Sequence, residues 1–196
     1  MVVESTEGLT DTQRDRRLRV IEAALRLAAD GGYDAVQMRD VSTEAGVALG
    51  TIYRYFSSKD HLLVAAMVEW MLELETAMTR RPARGDATVD RVLDVLNRAL
   101  RAVEREPSRA AAVVRAQTSD DGAAVRASQE VTEILYRIMG SAFPDDADTE
   151  RQHNTVRVLA HVWFSCLVSW TSGGGDMAWV RSQVDTAAHR LLTNPE

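Results

Sequence analysis

The chain has 196 residues, 45% hydrophobic and 27% charged, enough for one large domain or two small ones sharing a core. Its 23 basic and 29 acidic residues leave a net charge of -6 and a pI near 5.3, which excludes a uniformly basic nucleic-acid coat but leaves room for a local DNA-binding surface. A single cysteine, Cys166, excludes a disulfide framework or a cysteine-based zinc site within one chain, and its apolar setting fits a reducing cytoplasm.

The amino end has no basic start followed by an apolar core, so no signal peptide is expected, and the first nine residues lack periodicity and read as frayed. Thr10 and Gln13 have the spacing of a capping box. Leu18, Ile21, Ala24, Leu25 and Ala28 recur at helical spacing until Gly31-Gly32, where a left-handed backbone is cheap. A short helix follows over Met38–Glu44, another over Leu49–Phe56, and a long one over Lys59–Thr79, capped by Ser58. Arg80–Ala87 is a linker. Further helices are predicted at Thr88–Arg105, at Pro107–Thr118 with proline in the first turn, and at Gly122–Ser141. After a loop at Pro144–Asp148, a capping box at Thr149 and Gln152 precedes Thr155–Thr171, and Asp176–Leu192 closes the series. Asp120-Asp121 and Asp145-Asp146 read as loop caps and solvent-facing charges. No stretch alternates at period two, so the expected fold is all-α with about nine helices.

The segment from Val41 to Tyr53 reads as helix, tight turn, helix: Ala45 keeps the helices close, Gly46 permits the turn, and Val47 plugs it. Val41, Ala45, Val47, Ile52 and Phe56 supply its core. A helical wheel places Leu49, Ile52 and Phe56 inward, Gly50, Thr51, Arg54 and Tyr55 outward, and Tyr53 at the edge. A small residue, hydroxyls and a cation on one open face suit a major groove. Lys59, the only lysine, is placed to hold a phosphate, and Arg14, Arg16, Arg17 and Arg19 to approach the DNA backbone or a minor groove. Residues 14–61 carry eight basic and seven acidic groups, so Asp30, Asp34, Asp40 and Glu44 must lie mainly away from any DNA.

The stretch Ile21–Ala65, about a quarter of the chain, resembles the DNA-binding domain of the TetR family of transcriptional regulators. The likeness is carried by Gly31-Gly32-Tyr33, Ala45-Gly46-Val47, Gly50-Thr51-Ile52-Tyr53-Arg54-Tyr55-Phe56, Ser58-Lys59 and Leu62-Leu63. It implies a homodimer that binds a palindromic, double-stranded operator, usually as a repressor released by a small ligand. By match, Thr51, Tyr53 and Tyr55 fall among recognition-helix contacts and Lys59 on a phosphate contact; Arg39 joins this DNA-binding set. Gln37, Ala48 and Leu49 depart from the polar residues common in the family, and Ala48 lacks the usual hydroxyl cap. A further likeness, through Gly31–Arg39, Val47–Phe56, Leu96–Ala99 and Val162–Trp170, is to an actinobacterial branch that represses cholesterol catabolism. It implies control of sterol or lipid catabolism genes, with a steroid or fatty acyl-CoA effector.

The resulting division is a helix-turn-helix DNA-binding domain over residues 1–60 and a ligand-binding and dimerisation domain over 61–196. In the latter, Trp70, Met71, Leu96, Leu100, Val114, Leu135, Met139 and Trp163 are the expected pocket residues, large and adaptable enough for a bulky hydrophobic ligand. Val158–Trp170 is apolar on nearly every side but interrupted by His161, Ser165, Cys166 and Ser169, which favours a buried helix over a membrane span. Such a helix must be covered twice, by its own chain and by a second subunit. Phe164, Leu167, Val168, Val184, Ala188 and Leu191 are the expected dimer interface; burial wholly within the monomer is the alternative. The four histidines are scattered, and neither a phosphate loop nor a nucleophile elbow occurs, so no enzyme activity, metal or cofactor is expected. The rival readings are a helical lipid-binding or interaction protein without DNA binding, and an all-helical enzyme.

Overall fold

The computed structural model describes residues 9–144 and 147–193. Among them lie nine helices and no strand: α1 Asp11–Ala35, α2 Met38–Ala45, α3 Leu49–Tyr55, α4 Lys59–Arg80, α5 Thr88–Arg105, α6 Pro107–Ala116, α7 Gly122–Gly140, α8 Thr149–Thr171 and α9 Met177–Leu192. Residues 1–8 of the stretch read as frayed lie outside the described residues, whereas Leu9 is buried. Residues 145 and 146 of the Pro144–Asp148 loop, with their two aspartates, also lie outside them.

Local chemistry accounts for most boundaries. Thr10 and Gln13 form the reciprocal capping box, with the Thr10 N–H donating to Gln13 Oε1 at 2.8 Å and the Gln13 N–H to Thr10 Oγ1 at 3.3 Å. Regular helical geometry in α1 breaks at Gly31 and Gly32, the latter at φ +68°, a conformation that only glycine adopts cheaply. Ser58 Oγ accepts the His61 N–H at 3.0 Å, and Pro107 occupies the first turn of α6. The capping box expected at Thr149 and Gln152 is corrected. Asp148 is the cap of α8, its carboxylate accepting the Arg151 N–H at 2.7 Å, and the helix starts six residues before Thr155. A carboxylate one position earlier outcompetes a hydroxyl because it also satisfies the positive end of the helix.

The helices pack as two compact units, each discontinuous in sequence. The first comprises the chain through Glu69 together with Glu106–Glu130; the second comprises Trp70–Arg105 and the chain from Val131 onward. Residues 61–69 and 106–130 therefore pack with the helix-turn-helix. In the first unit α6 lies along α1, where Ala110, Val113 and Val114 are buried with Val20, Ala24 and Ala28, and Arg109 Nε donates to the Leu25 carbonyl at 3.2 Å. In the second unit α9 packs on α5 and α8 through Val180, Val184 and Ala188. Arg137 forms a double hydrogen bond to Glu75, at 2.7 and 3.0 Å, tying α7 to α4 and holding the Glu75 carboxyl below its ordinary range.

Candidate nucleic-acid interface

The two short helices α2 and α3 bury little area each, so their mutual core must be tight. Val41, Ile52 and Phe56 are almost wholly buried, and Ala45 and Val47 nearly so, as the spacing predicts. Burying a side chain such as Ile52 or Phe56 is worth about 1.5–3 kcal/mol. Gly46 adopts the left-handed conformation (φ +62°, ψ 36°) and its N–H closes on the Ser42 and Thr43 carbonyls. Ser42 Oγ then donates to the Val47 carbonyl at 2.7 Å, locking the turn from the other side. The start of α3 is thereby fixed relative to α2.

On α3, Gly50, Tyr53 and Arg54 are exposed and Thr51 is half-exposed, while Ile52 is fully buried. Tyr53, at 41% exposure, is the one large aromatic on this open face. Tyr55 is a correction: only 7% exposed, it packs beside Phe56 with ring centroids 6.3 Å apart and belongs to the core. Leu49 departs the other way and is half-exposed rather than inward. Both lie about 60° from Ile52 on a helical wheel, on opposite flanks, and a wheel alone cannot rank them. Phe56 has already left helical geometry (φ -133°, ψ 114°), which also shifts the inner face.

Arg39 on α2 is exposed and Arg16 half-exposed. Arg17 is corrected: it pairs with Glu69 of α4 and lies over the Phe56 ring at 5.5 Å, so its charge is spent inside the unit. Lys59 is tethered too. Its Nζ lies 3.9 Å above the Tyr33 ring and donates to the Tyr33 carbonyl at 3.3 Å, leaving further N–H donors for a phosphate.

That lysine is one corner of a cluster that sequence reasoning missed. The Tyr33 hydroxyl donates to Asp60 Oδ1 at 2.5 Å, and Ser119 Oγ donates to Oδ2 of the same carboxylate at 2.7 Å. Arg115 lies 4.2 Å from the Tyr33 ring centroid and pairs with Asp34 at 3.1 Å. Burial, aided by the bond to Asp60, pushes the Tyr33 phenol up to about 12. The end of α1, the start of α4, helix α6 and the α6–α7 turn are thus joined around Tyr33 and Asp60. Gly31-Gly32-Tyr33 was the available signal, but partners more than 25 residues away leave no local trace.

His61 sits behind α3. It is buried, accepts the Ser57 N–H on Nδ1 at 3.2 Å, and stands edge-on to Phe56 with centroids 5.6 Å apart. Burial lowers its pKa, so the ring is neutral, with Nε2 carrying the proton. Nearby, Asp121 caps α7 by accepting the Ala123 and Ala124 N–H groups at 3.0 and 2.9 Å, as read from the sequence. Burial alone would raise its carboxyl, but those two bonds outweigh it and hold the group low.

An open helix on a turn of this geometry is matched by comparison with known proteins. Residues 20–66 match the family described as bacterial regulatory proteins, tetR family, and residues 85–191, over half the chain, match the tetracyclin repressor-like C-terminal domain. The HTH-type transcriptional repressor KstR of Mycolicibacterium smegmatis is 33% identical over 195 residues, covering 100% of this chain and 96% of that protein. The chain belongs to the TetR family of bacterial regulatory proteins. A TetR transcriptional regulator from Rhodococcus sp. RHA1 superposes with a TM-score of 0.84 at 33% identity, over 95% of this chain and 100% of that one. Thermus thermophilus FadR, solved in complex with lauroyl-CoA, shares the fold with a TM-score of 0.69 at 18% identity, over 92% and 96% of the two chains.

Membership makes this TetR-family chain a transcription regulator rather than an enzyme. Among the described residues, no group of three or more His, Cys, Asp or Glu could hold a metal ion, and no helix is long and apolar enough to cross a membrane. Of the expected pocket residues, Met71, Leu96, Leu100 and Met139 are buried in the second unit, and Trp70, Leu135 and Trp163 are half-buried there. Val114 is corrected: it belongs to α6 in the first unit, where it packs beside α1. Of the expected dimer residues, Leu167, Val184 and Ala188 are corrected, because each is already buried within the single chain. Phe164, Val168 and Leu191 remain half-exposed on α8 and α9, and Val158 and Trp179 are exposed on the same helices. Cys166 is buried, which raises its thiol pKa and suits a core residue rather than a nucleophile.

Proposed function

We propose that this chain is a cytoplasmic, ligand-responsive repressor that binds a palindromic operator as a homodimer, controls sterol or lipid catabolism genes, and is released by a steroid or fatty acyl-CoA. The observation that carries the reading is the α3 surface: Gly50, Tyr53 and Arg54 face solvent on a helix whose other side is locked into the core. Thr51 and Tyr53 supply base-edge contacts, and Arg16, Arg39, Arg54 and Lys59 supply phosphate contacts. In this division residues 1–60 read DNA, and 61–196 hold the effector and the partner subunit.

The refinement to lipid genes rests on likeness to a protein named KstR, a repressor, and on a shared fold with a FadR solved with lauroyl-CoA. Trp70, Met71, Leu96, Leu100, Leu135, Met139 and Trp163 line the effector site, and Phe164, Val168 and Leu191 meet the partner subunit. Helix α4 contributes residues to both compact units. An effector that displaces it alters the spacing of two reading heads that must dock about 34 Å apart. Release then requires only that the effector bind one spacing better than the other.

A gel shift against the DNA upstream of the protein's own gene, repeated with steroid and fatty acyl-CoA panels, tests the reading. Specific binding relieved by one of those ligands supports it. Absence of specific binding defeats the repressor assignment, and binding that no lipid thioester or steroid relieves defeats the effector assignment.

A further inference from the structure

The three residues that lead into α3 ahead of Thr51, Ala48, Leu49 and Gly50, carry no polar side chain. Ala48 and Gly50 are exposed and Leu49 is half-exposed, and a Cβ built on Gly50 would meet nothing within 4 Å. Ala48 opens the helix in extended backbone (φ -55°, ψ 135°) without a side-chain hydrogen bond. Because Tyr55 fills the core on the opposite flank of Ile52, Leu49 is the flank left turned toward solvent. The backbone carrying it is rigid, held by Gly46 and by the Ser42 bond to the Val47 carbonyl. The apolar edge is therefore continuous with Tyr53 and Arg54 and offered at a fixed position.

An aliphatic group against a major-groove base edge has one favourable partner. Guanine, cytosine and adenine present hydrogen-bonding atoms there, which leucine would strip of water without replacing the bond. Thymine alone adds a 5-methyl group. Resting on the proposed operator binding, we infer that Leu49, flanked by Ala48, is a specificity-determining residue that reads a thymine 5-methyl group in each half-site. Tyr53, Arg54 and Lys59 supply polar and phosphate contacts, and Leu49 supplies discrimination against the other bases at its position.

The test uses the full-length protein and a duplex it selects from random DNA. Each thymine in turn is replaced by deoxyuridine, which removes only the methyl group. At one thymine per half-site, affinity should fall about fourfold, as expected for one apolar carbon returned to water at ~0.8 kcal/mol. Leu49→Ala should bind more weakly and lose that penalty, so that the thymine and deoxyuridine duplexes become equivalent. Leu49→Met, which keeps an apolar side chain of similar volume, should retain the penalty and guards against misfolding of the smaller variant. The inference is overturned if every deoxyuridine substitution is neutral, or if the penalty survives unchanged in Leu49→Ala. Those outcomes arise on a duplex already bound specifically, whereas failure to select any duplex overturns the operator assignment as well.

Discussion

Tyr53 carries the most informative side chain on the open face, because it is 41% exposed while its neighbour Ile52 is fully buried. On the proposed operator binding, truncating it removes a groove contact while leaving the buried core around Ile52 in place. Tyr53→Ala should weaken specific DNA binding by about 1–3 kcal/mol per half-site, read by fluorescence anisotropy, and leave stability within about 0.5 kcal/mol, read by thermal melting. His61 gives a prediction of the opposite kind. Burial depresses its folded pKa below the ordinary imidazole value, so in acid the unfolded chain takes the proton before the folded one does. Above about pH 6.5 the ring is neutral in both states and no stability is lost. As the pH falls below that value, stability should decline by up to about 1.4 kcal/mol per pH unit, until the lowered folded pKa is reached. Urea midpoints measured from about pH 7.5 to 5 should show this slope in the wild type and a flatter one in His61→Gln. At this scale the sequence misleads where the partner is remote: nothing near Arg17 announces Glu69, and its basic neighbours suggested DNA instead.

Most helix boundaries are legible where the determinant sits within four residues. The Thr10–Gln13 box, the Ser58 cap and the Gly46 turn each involve groups close in sequence, and each is found. The α8 start was misplaced because two local rules competed and the carboxylate of Asp148 prevailed. On α3, Tyr55 and Leu49 are symmetric about Ile52, so only the packing of the whole unit separates them. Ala48 leaves the first turn of α3 without a side-chain cap, although its backbone is in extended, cap-compatible geometry. Ala48→Ser should therefore stabilise the fold by about 0.5–2 kcal/mol, read as a rise in urea midpoint at unchanged slope. Tyr33→Phe should act in the opposite direction. It removes the hydroxyl donated to Asp60 at 2.5 Å, a bond to a charged group, and should cost about 1.5–3 kcal/mol in chemical denaturation while retaining the ring that Lys59 and Arg115 cover.

For the whole molecule, the all-α class and the helix order followed from periodicity, whereas the grouping of helices did not. Helix α6 and the start of α7 pack with the helix-turn-helix although Trp70–Arg105, which belongs to the other unit, intervenes, and no periodic signal encodes such a return. The same limit governs α8. A helix apolar on nearly every side says that it must be covered but not by what, and in the fold Leu167 is covered by its own chain while Phe164 and Val168 stay partly open. A symmetric pair built on those open residues would present two α3 surfaces and convert weak single-head binding into recognition of an inverted repeat. The direct measurement is selection of bound duplexes from random DNA by the full-length protein, followed by sedimentation of the selected complex. An inverted repeat with half-site centres one helical turn apart, or a multiple of it, bound by an even number of chains, is the predicted result. No enriched sequence, or a single half-site held by one chain, would contradict the account.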